Sequence, residues 1–141
     1  MSKQLLLALT VASAISSCSS KLNQIKNDKR EGKWITTDTF ATIYTSKGRF
    51  QNGTEKGKWK YYDDDKLVKM EKYRKDICKT TYYYPNGKIR KEGKTKFESD
   101  SIENHWYYIG KWSFYKENGK LDSIAIYKKE NTTDIPINST D

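Results

Sequence analysis

The sequence predicts an all-β protein, an antiparallel meander of tandem β-hairpins that follows a cleaved N-terminal signal helix. Aromatic residues are abundant, with 4 Trp, 11 Tyr and 4 Phe among 141 residues, and each ring can bury on the order of 150–250 Å². Strand-favouring Ile, Tyr, Trp and Thr fill the chain after residue 22, where no helical pattern is found. Glycines followed by a basic residue recur along the same region. These observations indicate one small domain of short strands and turns.

The N-terminus has the layout of a bacterial secretory signal peptide. Lys3 supplies a positive charge, and the apolar run of residues 5–15 is shorter than the about 20 residues that a transmembrane helix needs. The segment Ile15-Ser16-Ser17-Cys18 resembles the bacterial lipobox, which implies that Cys18 is lipidated and becomes the mature N-terminus. Cleavage of an ordinary signal peptide near Ala12-Ser13-Ala14 is the alternative.

The lipobox resemblance also implies a location and a set of boundaries. Ser19 follows the cysteine, instead of the Asp that resembles an inner-membrane retention signal, and this favours the outer membrane, on its periplasmic side. The lipid chains would supply the membrane affinity, so the folded part needs no transmembrane segment. The predicted division is a signal peptide at 1–17, the lipidated Cys and a tether at 18–30, a repeat domain at 31–128 and a flexible tail at 129–141.

Two sequence elements alternate along the repeat domain, where every glycine except Gly53 is followed by Lys or Arg. One element is Gly-Lys-Trp, and its copies contain Trp34, Trp59 and Trp112. The other is a Tyr followed by turn-forming residues, Gly, a basic residue and an apolar residue. Its copies span 44–50, 83–89 and 115–121, where Tyr83, Gly87, Tyr115 and Gly119 define the repeat, and a shorter copy without Gly spans 62–67.

The two elements predict a row of hairpins. Asn86-Gly87 and Asn118-Gly119 can adopt positive φ at low cost, which suits tight turns between antiparallel strands. Trp59-Lys60-Tyr61 alternates aromatic with basic side chains, so one face of the sheet is expected to be aromatic and the other wet. A single hairpin is marginally stable in water, and the hairpins are therefore expected to continue into one sheet of roughly seven or eight strands after Gly32.

The alternation of Tyr-x-x-Asn-Gly-Lys-Ile/Leu with Glu-Gly-Lys and Gly-Lys-Trp-x-x-Tyr resembles the variant MORN repeats of bacterial proteins. The resemblance covers residues 31–128 and implies a MORN-like repeat sheet that is open and one layer thick. Residues 97–109 interrupt it before the last Gly-Lys-Trp. Many members of this family carry the label of antitoxin component of a toxin–antitoxin system. The label implies an alternative function, an antitoxin or immunity-type protein that binds a cognate toxin.

Few residues carry the chemistry that a catalyst or a metal centre needs. His105 is the single histidine, and no second His or Cys lies at metal-ligand spacing from it. Asp63-Asp64-Asp65 lacks the spacing of a calcium loop and is expected to form a solvated hairpin tip. Cys78 has no cysteine partner in the mature chain, and we expect a small buried side chain, with a reactive thiol as the alternative. The sequence predicts no enzyme, no catalytic residue, no metal and no cofactor.

The net charge of +9 bears on the partners. Lys and Arg recur along the repeat and are expected to face anionic components of the envelope, unless they only keep the strands soluble. Nucleic acid is disfavoured because export is expected. The segment His105-Trp106-Tyr107-Tyr108 departs from the repeat and is the candidate contact surface for a protein partner; lining of the core by Trp106 and Tyr108 is the alternative. We therefore expect a lipid-anchored envelope lipoprotein that acts as a non-catalytic binding or structural module.

Overall fold

Nine β-strands form one sheet in the computed structural model, which describes residues 21–39, 41–99 and 104–128. The strands are β1 (Gln24–Lys26), β2 (Lys29–Thr39), β3 (Ile43–Gln51), β4 (Thr54–Asp63), β5 (Lys66–Arg74), β6 (Ile77–Tyr83), β7 (Ile89–Ser99), β8 (Asn104–Tyr115) and β9 (Leu121–Tyr127). They are hydrogen-bonded in chain order and every pairing is antiparallel. The predicted all-β antiparallel meander is confirmed, whereas the signal helix and the tail lie outside the described residues.

The sheet begins earlier than the sequence indicates. Strand β1 pairs with β2 from Gln24 opposite Glu31 to Lys26 opposite Lys29. Part of the segment 18–30, which the sequence assigns to a tether, is therefore the first hairpin of the sheet. Strands β2 to β9 account for the predicted strands, and β1 is additional. The part of the chain that the structure describes holds no helix long and apolar enough to cross a membrane.

Tight two-residue turns close three of the hairpins. Asn27-Asp28, Asn52-Gly53 and Asp64-Asp65 each have positive φ at both residues. This geometry follows the right-handed twist of the flanking strands, and Asn, Asp and Gly adopt it at the lowest cost. The acidic run at 63–65 therefore contributes a hairpin tip, where Asp64 also accepts a hydrogen bond from the Ile43 backbone through Oδ1 at 3.0 Å.

A wider turn joins β6 to β7. The Gly87 N–H donates to the Tyr84 carbonyl at 2.8 Å, and the Lys88 N–H donates to Asn86 Oδ1 at 3.0 Å. Positive φ is found at Gly87, at 81°, and not at Asn86. The expected Asn-Gly turn is corrected accordingly, because the asparagine contributes its side-chain acceptor instead of a left-handed backbone. The turn at 116–120 repeats the same three features.

Two of the three Gly-Lys-Trp segments form bulges inside strands, whereas the first, at 32–34, pairs residue by residue with 48–50 of β3. The register of β3 and β4 places Gly57-Lys58-Trp59 opposite the single residue Gly48. In the same way, Gly110-Lys111-Trp112 of β8 lies opposite Gly93 of β7. Each tryptophan folds back over the facing glycine, where a Cβ would lie 2.0 Å from the Trp59 ring and 2.2 Å from the Trp112 ring. A side chain at either glycine would collide with the indole, so the bulge requires glycine on the partner strand.

The alignment of 44–50 with the turn segments is wrong. Gly48 lies inside β3, beneath the Trp59 ring, and its structural counterpart is Gly93. Tyr83 and Tyr115 keep their equivalence, since Tyr83 pairs with Ile89 and Tyr115 pairs with Leu121 directly after a register shift. The equivalence of Trp34 with Trp59 and Trp112 is wrong, because Trp34 lies in regular register opposite Gly48 and forms no bulge. A glycine followed by a basic residue occurs in both environments, and local sequence does not distinguish them.

The two faces of the sheet differ in burial. We call the side that carries Trp59 and Trp112 the front face, and the side that carries Lys58 and Lys111 the back face. Because side chains alternate along each strand, the cross-strand register extends this division over the whole sheet. The buried apolar residues Phe50, Trp59, Cys78 and Trp112 all belong to the front face. The single-layered sheet therefore buries its largest rings on the front face. The expectation of one aromatic face is corrected to this extent, because the back face also carries tyrosines, among them Tyr62, Tyr83, Tyr107 and Tyr115.

Candidate functional site

A cleft runs over the middle of the front face, where the strands carry small side chains. Cys78 and Thr80 of β6 are 2% and 3% exposed and form its floor with Thr95 of β7. Bulky rings rise on both sides of them, on β5 and on β8, and enclose a cavity of about 210 Å³. The change from small to large side chains thus makes a concave site on an otherwise open sheet.

The β8 side of the cleft is a wall of stacked rings. Tyr108 stacks on Trp112, with ring centroids 4.2 Å apart and an angle of 21° between the ring planes. Trp106 packs against Phe97 at 5.2 Å and meets Tyr73 edge-on across the cleft at 5.7 Å. Trp112 is completely buried, whereas Trp106 is 44% exposed. Trp106 therefore offers open ring surface at the mouth of the cleft.

A carboxylate network holds the β5 side in place. Glu71 Oε2 accepts hydrogen bonds from the hydroxyls of Tyr61 at 2.5 Å and Tyr73 at 2.8 Å. Lys69 pairs with Glu71 Oε1 at 3.0 Å, and its ammonium also lies 3.8 Å from the Tyr61 ring centroid. Lys69, Glu71 and Tyr73 alternate along β5, so all three project from the front face. The network fixes the two phenol rings relative to the floor of the cleft.

The tyrosines of this network stay protonated over a wide pH range. Burial raises the pKa of Tyr73 above its ordinary value, and the neighbouring charge of Glu71 raises it further. Burial also raises the pKa of Tyr61, together with its hydrogen bond to Glu71. Both hydroxyls are therefore held as donors to the carboxylate, since ionisation would place negative charge beside negative charge.

A lysine lies at the other end of the ring wall. The ammonium of Lys91 is 4.6 Å from the Tyr82 ring centroid, 5.9 Å from that of Tyr108 and 5.8 Å from that of Trp112. Cation–π attraction to several rings favours this position, and it ties β7 to both neighbouring strands. The positive charge of Lys91 thus lies against the rings at this end of the cleft, although no sequence motif points to it.

The Cys78 thiol on the floor of the cleft is buried and unreactive. Cys78 is buried, and its Sγ lies 3.7 Å from the Thr80 hydroxyl. Burial raises the pKa of the thiol, with a smaller opposing effect from the Thr80 hydrogen bond. A neutral, inaccessible thiol is a poor nucleophile. The expected small buried side chain is confirmed.

The segment 105–108 does not present one surface. Trp106 and Tyr108 project into the cleft, whereas His105 and Tyr107 project from the back face. Tyr107 donates a hydrogen bond to Glu98 Oε1 at 2.6 Å there, and its ring lies 5.8 Å from that of His105. The proposed contact surface is corrected to the two front-face residues, because alternate residues of a strand point to opposite sides.

Sequence reasoning missed the β5 half of the cleft. Tyr73 stands six residues after Leu67, as Tyr127 does after Leu121, but this spacing carries no chemical signal, and Glu71 belongs to no repeat motif. The alternation of Lys69, Glu71 and Tyr73 on one strand was the available clue, but only the cross-strand register brings Tyr61 to the same carboxylate. The described residues include no group of three or more His, Cys, Asp or Glu that could hold a metal ion. Cys18 lies outside the described residues.

The comparisons with known proteins add no relative. No family model, no curated protein and no solved structure matches this chain. The likeness to variant MORN repeats therefore stays a prediction from the motifs, and the function has to be argued from the cleft.

Proposed function

We propose that this protein is a lipid-anchored lipoprotein of the bacterial cell envelope, and that it binds a protein partner in its front-face cleft as a non-catalytic β-repeat module. The observation that carries the proposal is the wall of rings around the cleft, with Trp106 44% exposed at its mouth. Trp and Tyr are the residues most often found at the energetically dominant points of protein interfaces.

The dimensions of the cleft favour an anchoring side chain of a larger partner. Its volume of about 210 Å³ is below the range of roughly 300–1,000 Å³ that is common for small-molecule pockets. An apolar side chain inserted over Thr80 would contact Tyr73 on one side and Tyr108 on the other. Glu71 already accepts hydrogen bonds from two tyrosine hydroxyls and pairs with Lys69. Its carboxylate is therefore suited to positioning the rings of the cleft.

The lipid anchor is supported by the lipobox-like residues that end at Cys18. The segment from Cys18 to the start of β1 at Gln24 is short, and even fully extended it spans about 20 Å. An anchored sheet would therefore stay close to the bilayer, where other envelope proteins are concentrated. Labelling cells with radioactive palmitate tests the anchor: we expect label in the wild-type chain and none in Cys18→Ser. Equal label in both would contradict it.

The cleft is tested separately by affinity capture from envelope extracts with matched variants. Trp106→Ala removes the exposed ring, and Leu121→Ala removes an equally exposed apolar side chain, 48% accessible, on the back face. We expect one or more proteins that are retained by the wild type and by Leu121→Ala and lost by Trp106→Ala. The same proteins with all three chains would contradict the cleft proposal, provided that circular dichroism shows Trp106→Ala to be folded.

A further inference from the structure

Basic side chains lie opposite one another across the interior of the back face. In β2 to β4, Lys33 is paired with Arg49, and Arg49 with Lys56. We call these three residues, together with the basic residues that continue the line across the next strands, the basic row. Its further members are Lys58, Lys72, Lys79, Lys94 and Lys111. The continuation pairs Lys58 with Lys72, Lys72 with Lys79 and Lys79 with Lys94, and ends at Lys111 in the β8 bulge. All members of the row are solvent-exposed.

This arrangement is electrostatically unfavourable for the isolated protein. Directly opposite side chains in a sheet have Cβ atoms about 4.5–5.5 Å apart, and like charges at that distance repel. Glu92 compensates one member, since it lies 3.1 Å from Lys79. Within the part of the chain that the structure describes, no carboxylate lies within salt-bridge distance of Lys58, Lys72 or Lys94. On the front face, by contrast, Lys69 is paired with Glu71.

Protection of the sheet against aggregation does not explain the row. Lysines serve that purpose on edge strands, where unpaired backbone groups could recruit another chain. The edges of this sheet are β1 and β9, whereas the row crosses β2 to β8. Solubility would be served equally by lysines placed out of register. The alignment across successive strands therefore points to a partner with aligned negative charges.

The shape of the row indicates a linear partner. With strands about 4.8 Å apart, the row from β2 to β8 extends over about 29 Å. One side of the row is bordered by Lys47 and Lys60 in β3 and β4, followed by Met70, Thr81 and Glu92 in β5 to β7. Near its β8 end, Lys79, Lys94 and Lys111 surround a shallow depression of about 310 Å³, whose lining also includes Glu92 and Tyr115. A line of cations of this length fits an extended chain of anions better than it fits a single compact anion.

We propose that the basic row binds an acidic polysaccharide, a linear glycan with carboxylate, sulfate or phosphate groups along its length. Single-stranded nucleic acid would call for aromatic rings between the cations, on which its bases could stack. The row consists of Lys and Arg alone, and the back-face rings of Tyr83 and Tyr115 lie beside it, next to the hairpin turns. Lysine ammonium groups suit the acidic groups of a glycan.

The test compares two double variants that remove the same charge. K72Q/K94Q removes two members of the row that both face Lys79. K66Q/K120Q removes two exposed lysines next to the hairpin turns and is the matched control. The detergent-solubilised full chain is titrated with heparin and with polygalacturonate, and neutral dextran is the blank. We expect K72Q/K94Q to bind both acidic glycans about tenfold more weakly, with a smaller salt dependence, and the control to stay within about twofold of the wild type.

Three results would overturn the proposal. Equal weakening in the two double variants would mean that net charge alone attracts the glycan. Tighter binding to phosphatidylglycerol vesicles or to an oligo-dT strand than to either glycan would identify a different partner. A lower unfolding midpoint for K72Q/K94Q would show that the aligned lysines do not repel, since relief of repulsion should leave the midpoint equal or higher. Trp106→Ala should bind the glycans normally, so this outcome is independent of the cleft and of Cys18.

Discussion

Trp59 and Trp112 occupy equivalent bulges in β4 and β8, but their surroundings differ. Each indole covers a glycine on the preceding strand and donates its N–H to the backbone carbonyl of the residue that follows this glycine. The distance is 3.2 Å for Trp59 and 2.9 Å for Trp112. Trp59 keeps 5% of its surface exposed, whereas Trp112 is completely buried. Since the local unit is the same, the difference has to come from the neighbouring strands.

Trp112 has one aromatic neighbour from the segment that interrupts the repeat and another from the strand that follows. Trp59 meets Phe50 edge-on at 4.9 Å and is stacked by Tyr61 at 6.4 Å. Trp112 is stacked face to face by Tyr108 at 4.2 Å and covered from β9 by Tyr127. The β7–β8 hairpin is longer than the β3–β4 hairpin, and the added length carries Trp106, whereas Tyr108 takes the register position that Glu55 has in β4. The wall of the cleft thus combines an insertion in the repeat with an aromatic ring at an existing repeat position, while the bulge beneath it stayed the same.

Truncation of the two tryptophans should give the largest loss of stability and show which of the two bulges contributes more to it. We expect Trp112→Ala to lower the free energy of unfolding by about 4 kcal/mol and Trp59→Ala by about 3 kcal/mol, because the more enclosed ring leaves the larger unfilled space. Urea denaturation followed by circular dichroism measures both values. Equal losses, or a larger loss at Trp59, would show that the rings of β8 and β9 do not add to the stability of the second bulge.

Adding a methyl group beneath each indole should have the next largest effect. Gly93→Ala is expected to cost about 3 kcal/mol and Gly48→Ala about 2 kcal/mol, because Trp112 is enclosed and has less room to move than Trp59. Combination with Trp112→Leu provides the control, since a smaller side chain no longer meets the new Cβ. The double variant should therefore be more stable than the sum of the two single losses allows. Simple additivity would contradict the contact.

The smallest predicted effect concerns Tyr73, whose hydroxyl donates a hydrogen bond to Glu71. Folding raises the pKa of Tyr73, so the unfolded chain loses that proton first when the pH rises above about 10. The unfolded state then binds fewer protons than the native state, and the free energy of unfolding falls with rising pH. Urea midpoints at pH 8 and pH 11 should thus differ less for Tyr73→Phe than for the wild type. Tyr62→Phe, on the back face beneath Lys47, is the control.

The class of fold was readable from the sequence because its causes are local. Period-two alternation around Trp59, turn residues such as Asp64-Asp65 and the recurrence of Gly-Lys-Trp each act within a few residues. These patterns predicted the strands, the meander and the face that buries Trp59. Trp106 and Tyr108 were selected because they depart from the repeat, and both line the cleft.

The remainder depends on register, which the sequence does not display. Gly48 and Gly87 are each followed by a basic residue, but one lies beneath an indole and the other in a turn. Only the pairing of β4 with β5 brings Tyr61 near Glu71, and only the pairing of β5 to β7 aligns Lys72 with Lys79 and Lys94. Register is determined jointly by turns and bulges along the whole chain, so a residue's partners cannot be inferred from its own motif.

The unbroken meander also has a consequence for how the chain acquires its structure. Each strand pairs with the strands that precede and follow it, so the backbone hydrogen bonds of the sheet join segments that are adjacent in the sequence. Low contact order of this kind is associated with rapid folding, because little loop entropy is lost before favourable contacts form. A hairpin can join the growing sheet as soon as it has been synthesised, without waiting for the C-terminus. For the same reason, evolution could lengthen or shorten the array at β9 without rerouting any earlier part of the chain.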